Sequence, residues 1–219
     1  MDTFVNRLLQ TMLIEKQNKI NSGVYALTQR EFAYNSNKIE GSRLTKEHTS
    51  SLFDTGSIYA EGEYRAKDIE EATGHFVMFN AMLDTINSPL TEELIKYFHK
   101  CLKQGVFEDI ANGYAIGDYK TRANFVGDIE TVHPSMVHDE MINLITSYTK
   151  SNKSLHEIAE FHVKYEKIHP FQDGNLSKDF HKFPYGKQII MESKSYFTLF
   201  LKIIQGFTFH KIFIYSLSS

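Results

Sequence analysis

An all-α fold is what this sequence predicts, and three observations carry the prediction. Apolar residues recur at three- and four-residue spacing along most of the chain. Only four prolines occur, at positions 89, 134, 170 and 184, and they fall at boundaries between periodic runs. A single stretch, residues 113–134, breaks the helical pattern. Gly113, Gly117 and Gly127 punctuate it, while Tyr119, Phe125, Val126 and Val132 favour strand, so it reads as a loop carrying a short β-hairpin. At 219 residues the chain suits one domain, or one domain with an appendage, with enough length to bury a core.

Taken in order, residues 28–40 read as a helix that Gly41 stops in the left-handed conformation. Thr45 caps the next helix, which runs through Leu52 and Phe53. Residues 66–86 place Ala72, Phe76, Phe79 and Leu83 on one buried face. Thr91 opens another helix, with Leu94, Phe98, Cys101 and Leu102 facing inward. Beyond the hairpin region, helix resumes over residues 135–150. The last predicted helix, residues 155–168, lines up Leu155, Ile158, Ala159, His162, Tyr165 and Ile168, and delivers His169 at its carboxyl end.

Composition narrows the possible partners. A net charge of −3 gives no global field for nucleic acid or an anionic membrane, and no basic stripe is present. Lysines interspersed with acids read as a solvated surface. Cys101 is the only cysteine, so no internal disulfide can form, and it reads as a small buried hydrophobe. The amino terminus lacks the pattern of a signal peptide. The longest apolar stretch, residues 196–215, is broken by Lys202, Gln205, His210 and Lys211, which does not suit a membrane span. The expected location is the cytoplasm. The oligomeric state stays open, a homodimer included.

Chemistry concentrates in His169-Pro170-Phe171-Gln172-Asp173-Gly174-Asn175. A histidine titrates near neutrality, so His169 suits removal of a proton from an attacking hydroxyl. Asp173 is a hard oxygen ligand, and Mg²⁺ commonly binds through one carboxylate plus substrate phosphates. Gly174 lets backbone N–H groups approach a phosphate, and Asn175 can donate its amide to a phosphate oxygen or cap a following helix. Pro170 ends the preceding helix, and Phe171 anchors the loop in the core. Together these residues suit phosphoryl or nucleotidyl transfer. The competing reading is a helix end followed by ordinary Asp-Gly-Asn turn residues. A third, weaker reading takes His162, Glu166 and His169 as transition-metal ligands, although the run lacks the HExxH pattern.

The seven residues resemble the start of the Fic family signature, HPFx[DE]GNGRxxR. Upstream, Ser36-Asn37-Lys38-Ile39-Glu40-Gly41 resembles that family's inhibitory motif, [ST]xxxE[GN]. Residues 117–134, from Gly117-Asp118-Tyr119-Lys120 through Phe125-Val126-Gly127 to Val132-His133-Pro134, are similar to its flap. The likeness spans about residues 1–175. It implies a Fic-type helical bundle with an inhibitory helix near residues 28–41 and a flap near residues 117–134. The implied activity is transfer of AMP from ATP to a Ser, Thr or Tyr hydroxyl of a target protein, with UMP, phosphate or phosphocholine as other groups known in the family. By the same resemblance, His169 is the base, Asp173 holds Mg²⁺, Gly174 and Asn175 bind phosphate, and Phe125, Val126, Gly127 and Val132 hold the target as an added strand. Ser36, Glu40 and Gly41 form the inhibitory element, in which the glutamate pairs with the signature's second arginine.

After Asn175 the chain departs from the family. Leu176 stands where the signature has glycine, Ser177 at the first arginine and Phe180 at the second. Each charge-assisted contact to phosphate contributes roughly 1.5–3 kcal/mol, and each lost donor slows transfer by about 10²–10³. Lys178 lacks the planar fork of arginine, and only a two-residue deletion would bring it near the second arginine's place. A weak or inactive transferase follows, with Glu40 deprived of its partner. The alternative function is a non-catalytic Fic-fold protein-binding module. Residues 176–219 contain no alanine, valine, arginine or asparagine. That shift marks either a divergent appendage or a slip of reading frame.

Overall fold

The computed structural model describes residues 3–59, 61–126 and 129–173, so the predicted appendage at residues 176–219 lies outside the described residues. Among them run α1 (Thr3–Gln17), α2 (Val24–Ile39), α3 (Lys46–Thr55), α4 (Ala66–Asp84), α5 (Glu92–Lys103), α6 (Phe107–Ala111), β1 (Phe125–Val126), β2 (Ile129–Glu130), α7 (Pro134–Lys150) and α8 (Leu155–Ile168). The two strands form one antiparallel hairpin in which Phe125 pairs with Glu130 and Val126 with Ile129. The fold is all-α with a hairpin inserted between α6 and α7. No described helix is long and apolar enough to cross a membrane.

Short polar side chains start the helices. The Thr45 hydroxyl accepts the His48 N–H, and the Thr91 hydroxyl accepts that of Leu94. Ser154 and Glu157 satisfy each other reciprocally at the start of α8. Pro134 takes the first position of α7, where no intrahelical N–H is needed. Gly56 ends α3 in the left-handed region at φ 72°.

Helix α4 organises the packing, with α5 against one side and α2 against another. The main core joins α4, α5, α7 and α8 through Met82, Phe98, Met141, Ile158 and Phe161, and Phe171 from the loop after α8 fills its edge. A second cluster lies under α1 and α2, where Met12, Tyr25 and Phe32 meet Phe79 and Leu83. Each such side chain contributes roughly 1.5–3 kcal/mol by leaving water. The exit of α2 is tied to the start of α4 by buried Asp68, which accepts the Arg43 N–H at 3.0 Å and pairs with Arg65 at 2.6 Å.

Several expectations need correction. Helices α1 and α6 were not predicted, α2 begins at Val24 rather than residue 28, and α4 ends at Asp84 rather than residue 86. Ala159 is exposed; Phe161, two residues on, takes the buried position on α8. The lysines are not uniformly solvated, because Lys103 is 1% and Lys120 3% exposed.

Gly74 sets the approach of α4 to α5. A Cβ there would lie 1.9 Å from the Leu102 carbonyl oxygen, so only glycine lets the two backbones sit this close. Gly74→Ala is expected to destabilise the fold by about 3 kcal/mol or more, the upper end for overpacking. A urea midpoint unchanged from that of the parent chain would refute this close approach.

Candidate functional site

The loop after α8 begins with a backbone that few side chains adopt. His169 lies at φ 49°, ψ 64°, yet its N–H still bonds the Tyr165 carbonyl at 2.8 Å. This left-handed cap, followed by Pro170 with no N–H, ends α8 and turns the chain sharply. His169 itself is buried, at 3% exposure. From there the flap region and α5 hold the loop carbonyl by carbonyl. The Lys120 N–H donates to the Pro170 oxygen at 2.8 Å, the Asn124 amide donates to the Phe171 oxygen at 3.0 Å, and the Arg122 N–H donates to the Gln172 side chain at 3.1 Å.

His99 completes the support. Its ring stacks on Phe171 with centroids 3.9 Å apart. Nδ1 accepts the Gly117 N–H at 2.9 Å, so Nε2 carries the proton and donates to the Asp173 carbonyl at 2.9 Å. Burial pushes the His99 pKa down to about 4, which keeps the ring neutral in this role. Lys120 Nζ lies beneath the loop, donating to the Ile168 carbonyl at 3.2 Å and to the Asn124 side chain at 2.7 Å. Burial lowers its pKa to about 8.

The Asp173 carboxylate sits in a cluster of charge. Lys67 Nζ lies 2.8 Å from its Oδ2 and Lys103 Nζ 3.4 Å from the same oxygen. Lys103 also contacts Glu71 at 2.7 Å and Asp109 at 2.8 Å, while Lys67 reaches Glu108 at 3.2 Å. Burial pulls both lysine pKa values down. For Lys67 the Asp173 hydrogen bond and charge outweigh it, and for Lys103 the charges of Asp173 and Glu71 do, so both end above the ordinary lysine value. Burial raises the Glu71 and Asp109 pKa values, against the opposing pull of Lys103.

Glu40 and Asp173 meet in this electrostatic neighbourhood. Glu40 is the C-cap of α2, and Gly41 follows at φ 83°. The residue is half-buried, but its Oε1 is sealed from solvent with no hydrogen-bond partner among the described residues. Burial, then the Glu71 charge, raises its pKa to about 8, with Lys103 opposing. Ser36 and Asn37, one turn earlier, are buried, and among the described residues neither polar atom of the Asn37 amide has a hydrogen-bond partner. His75 on α4 is held down to about 3 by burial and then by the Lys103 charge.

Phe125 is 57% exposed on the hairpin, whereas Val132 packs against the main core. The side chain of Val126, together with Gly127, Gly174 and Asn175, lies outside the described residues. Among the described residues no group of three or more His, Cys, Asp or Glu is placed to hold a metal ion, His162, Glu166 and His169 included. Asp173 fits Mg²⁺ in donor type, since one carboxylate plus substrate phosphates suffices. Its Oδ2 is nonetheless engaged by two ammonium groups. Sequence reasoning missed Lys67, Glu71, His99, Lys103 and Lys120. The signal for Lys67, Glu71 and His75 was present: they recur every four residues along α4 as a polar stripe beside the apolar one.

Two predictions follow from the charge cluster. Lys103→Met strands buried Glu71 and Asp109 and is expected to cost about 3–5 kcal/mol, read from urea unfolding. Glu40 is protonated in the folded state up to about pH 8, against an ordinary value of 4.5. Its folded pKa is raised, so its contribution is full below the ordinary value and is lost as pH rises through about 8. The stability gap between Glu40→Gln and the parent should therefore widen from pH 5 to pH 9. A gap that stays constant over that range would contradict this.

The profile of the Fic/DOC family matches residues 89–176, a span that holds α5, the hairpin, α7, α8 and the His169 loop. A search of curated proteins gives no match. Among solved structures, the chain is similar to a Fic domain containing signaling protein from Bacteroides thetaiotaomicron, with 23% identity and a TM-score of 0.64 over 93% of this chain and 72% of that one. It is also similar to a Fic family protein from Desulfovibrio desulfuricans, with 19% identity and a TM-score of 0.58 over 93% of this chain and 57% of that one. A segment of Fic-1 from C. elegans gives 17% identity and a TM-score of 0.55 over the same two shares. The chain thus spans little more than half the length of the latter two. At these identities the likeness establishes the fold, and the family profile marks residues 89–176, the His169 loop included, as a match to a Fic/DOC domain.

Proposed function

We propose that this chain is built to transfer AMP from ATP to a Ser, Thr or Tyr hydroxyl of a target protein in the cytoplasm, and that its turnover is weak. The observation that carries the proposal is the His169 loop: a histidine at a left-handed helix cap, followed by a backbone fastened at each step to α5 and the flap region. In this reading the exposed hairpin edge receives the target segment as an additional strand. His169 takes the proton of the target hydroxyl as its oxygen attacks the α-phosphorus. The bond from that phosphorus to the β-phosphate bridging oxygen breaks, and pyrophosphate leaves. Mg²⁺ at Asp173 would neutralise phosphate charge when bound. Glu40 matches the inhibitory residue of its motif, but Phe180 offers it no guanidinium to pair with, so the inhibitory contact is absent in this reading.

Turnover is weak because positions 176, 177 and 180 are leucine, serine and phenylalanine, which supply no guanidinium. The test is labelled ATP with Mg²⁺ and a cell lysate. It compares the parent chain, His169→Ala, and a chain restored by Leu176→Gly, Ser177→Arg and Phe180→Arg. The restored chain is expected to label target protein at least about 10²-fold faster than the parent, and His169→Ala in that background should abolish labelling. Absence of label from the restored chain would overturn the proposal. Label seen only after restoration would leave the parent as a non-catalytic binding module.

A further inference from the structure

We propose that Lys67 is a tethered cation standing in the divalent-metal position of Asp173, and that its displacement controls loading of that position. The proposal rests on the reading of Asp173 as a metal ligand and goes beyond it.

Three observations carry it. Lys67 Nζ touches Asp173 Oδ2 at 2.8 Å, the oxygen a hard cation would take. Among the described residues, two ammonium groups, Lys67 and Lys103, face four carboxylates at Glu71, Glu108, Asp109 and Asp173, so acids outnumber cations in the cluster. A bare polyphosphate would meet repulsion here, whereas a divalent cation would be attracted. The two lysines also differ in freedom. The Lys103 side chain is 1% exposed and pinned by Glu71 and Asp109, but that of Lys67 is 17% exposed. Lys67 can swing to water while Lys103 stays. Lys103 is the fixed counter-ion and Lys67 the exchangeable one.

The test is a Mn²⁺ titration followed by electron paramagnetic resonance, on the full chain without nucleotide. Lys67→Met removes the competing charge and should tighten Mn²⁺ binding by about tenfold or more. Asp173→Asn added to it should abolish the gain. Binding no tighter in Lys67→Met, with Asp173→Asn still weakening it, would overturn the tethered cation alone. A titration indifferent to Asp173→Asn in every background would overturn the ligand assignment beneath it. Should Lys67→Met fail to fold, reductive methylation of Lys67 in the unaltered chain decides. Saturating Mg²⁺ must raise its labelling severalfold, and unchanged labelling overturns the proposal.

Discussion

The burial of one ammonium group, that of Lys103, organises the rest of the site. Moving it from water into the α4–α5–α6 junction is unfavourable unless several carboxylates accept it there. Glu71 and Asp109 do so at contact distance, one from α4 and one from α6, and Asp173 adds a third negative group from the loop after α8. This works only because α5 lies almost against the α4 backbone, and that spacing depends on the absent side chain at Gly74. A packing feature thus becomes an electrostatic one: with the helices farther apart, Lys103 would not reach Glu71.

The His169 loop shows the same dependence in hydrogen bonds. The carbonyls of Ile168, Pro170, Phe171 and Asp173 are each taken by a donor from residues 99–124. With its oxygens committed in this way, the loop is held in place by the surrounding fold. His99 contributes twice, by stacking on Phe171 and by the proton at Nε2. Its burial keeps the ring neutral, so Nδ1 can accept while Nε2 donates. Lys120 links the flap region to the last turn of α8, so movement of the hairpin base would be felt at His169.

Much of this fold was legible in the sequence because it follows from periodicity and caps. Thr45, Thr91 and Ser154 start helices through local hydrogen bonds, which sequence spacing encodes directly. The inward residues of α5 were read correctly for the same reason: a stripe at three- and four-residue spacing is a one-dimensional signal. The errors have physical causes. Helix α6 is a single short element held by tertiary contacts, and Ala159 is too small to declare which face it occupies. Of the site, His169 and Asp173 were legible through a local motif. Lys67, Lys103, His99 and Lys120 were not, because their meaning lies in partners tens of residues away. A lysine amid acids looks solvated until the fold folds the acids around it.

Charge, rather than shape, is what distinguishes this site. Glu40, Glu71 and Asp109 are all pushed toward their protonated forms, and burial acts on each of them first. Lysine charge opposes the shift in all three without overcoming it, which is the signature of too little cation for the acids present. The Fic signature would add two guanidinium groups after Asn175, and this chain has Ser177 and Phe180 there instead. Glu40 keeps a proton near neutrality because burial, then the Glu71 charge, raises its pKa against the pull of Lys103, and Asp173 is held by both Lys67 and Lys103. Among the described residues acids outnumber cations around Asp173, and a ligand that relieves this imbalance must bring positive charge with it.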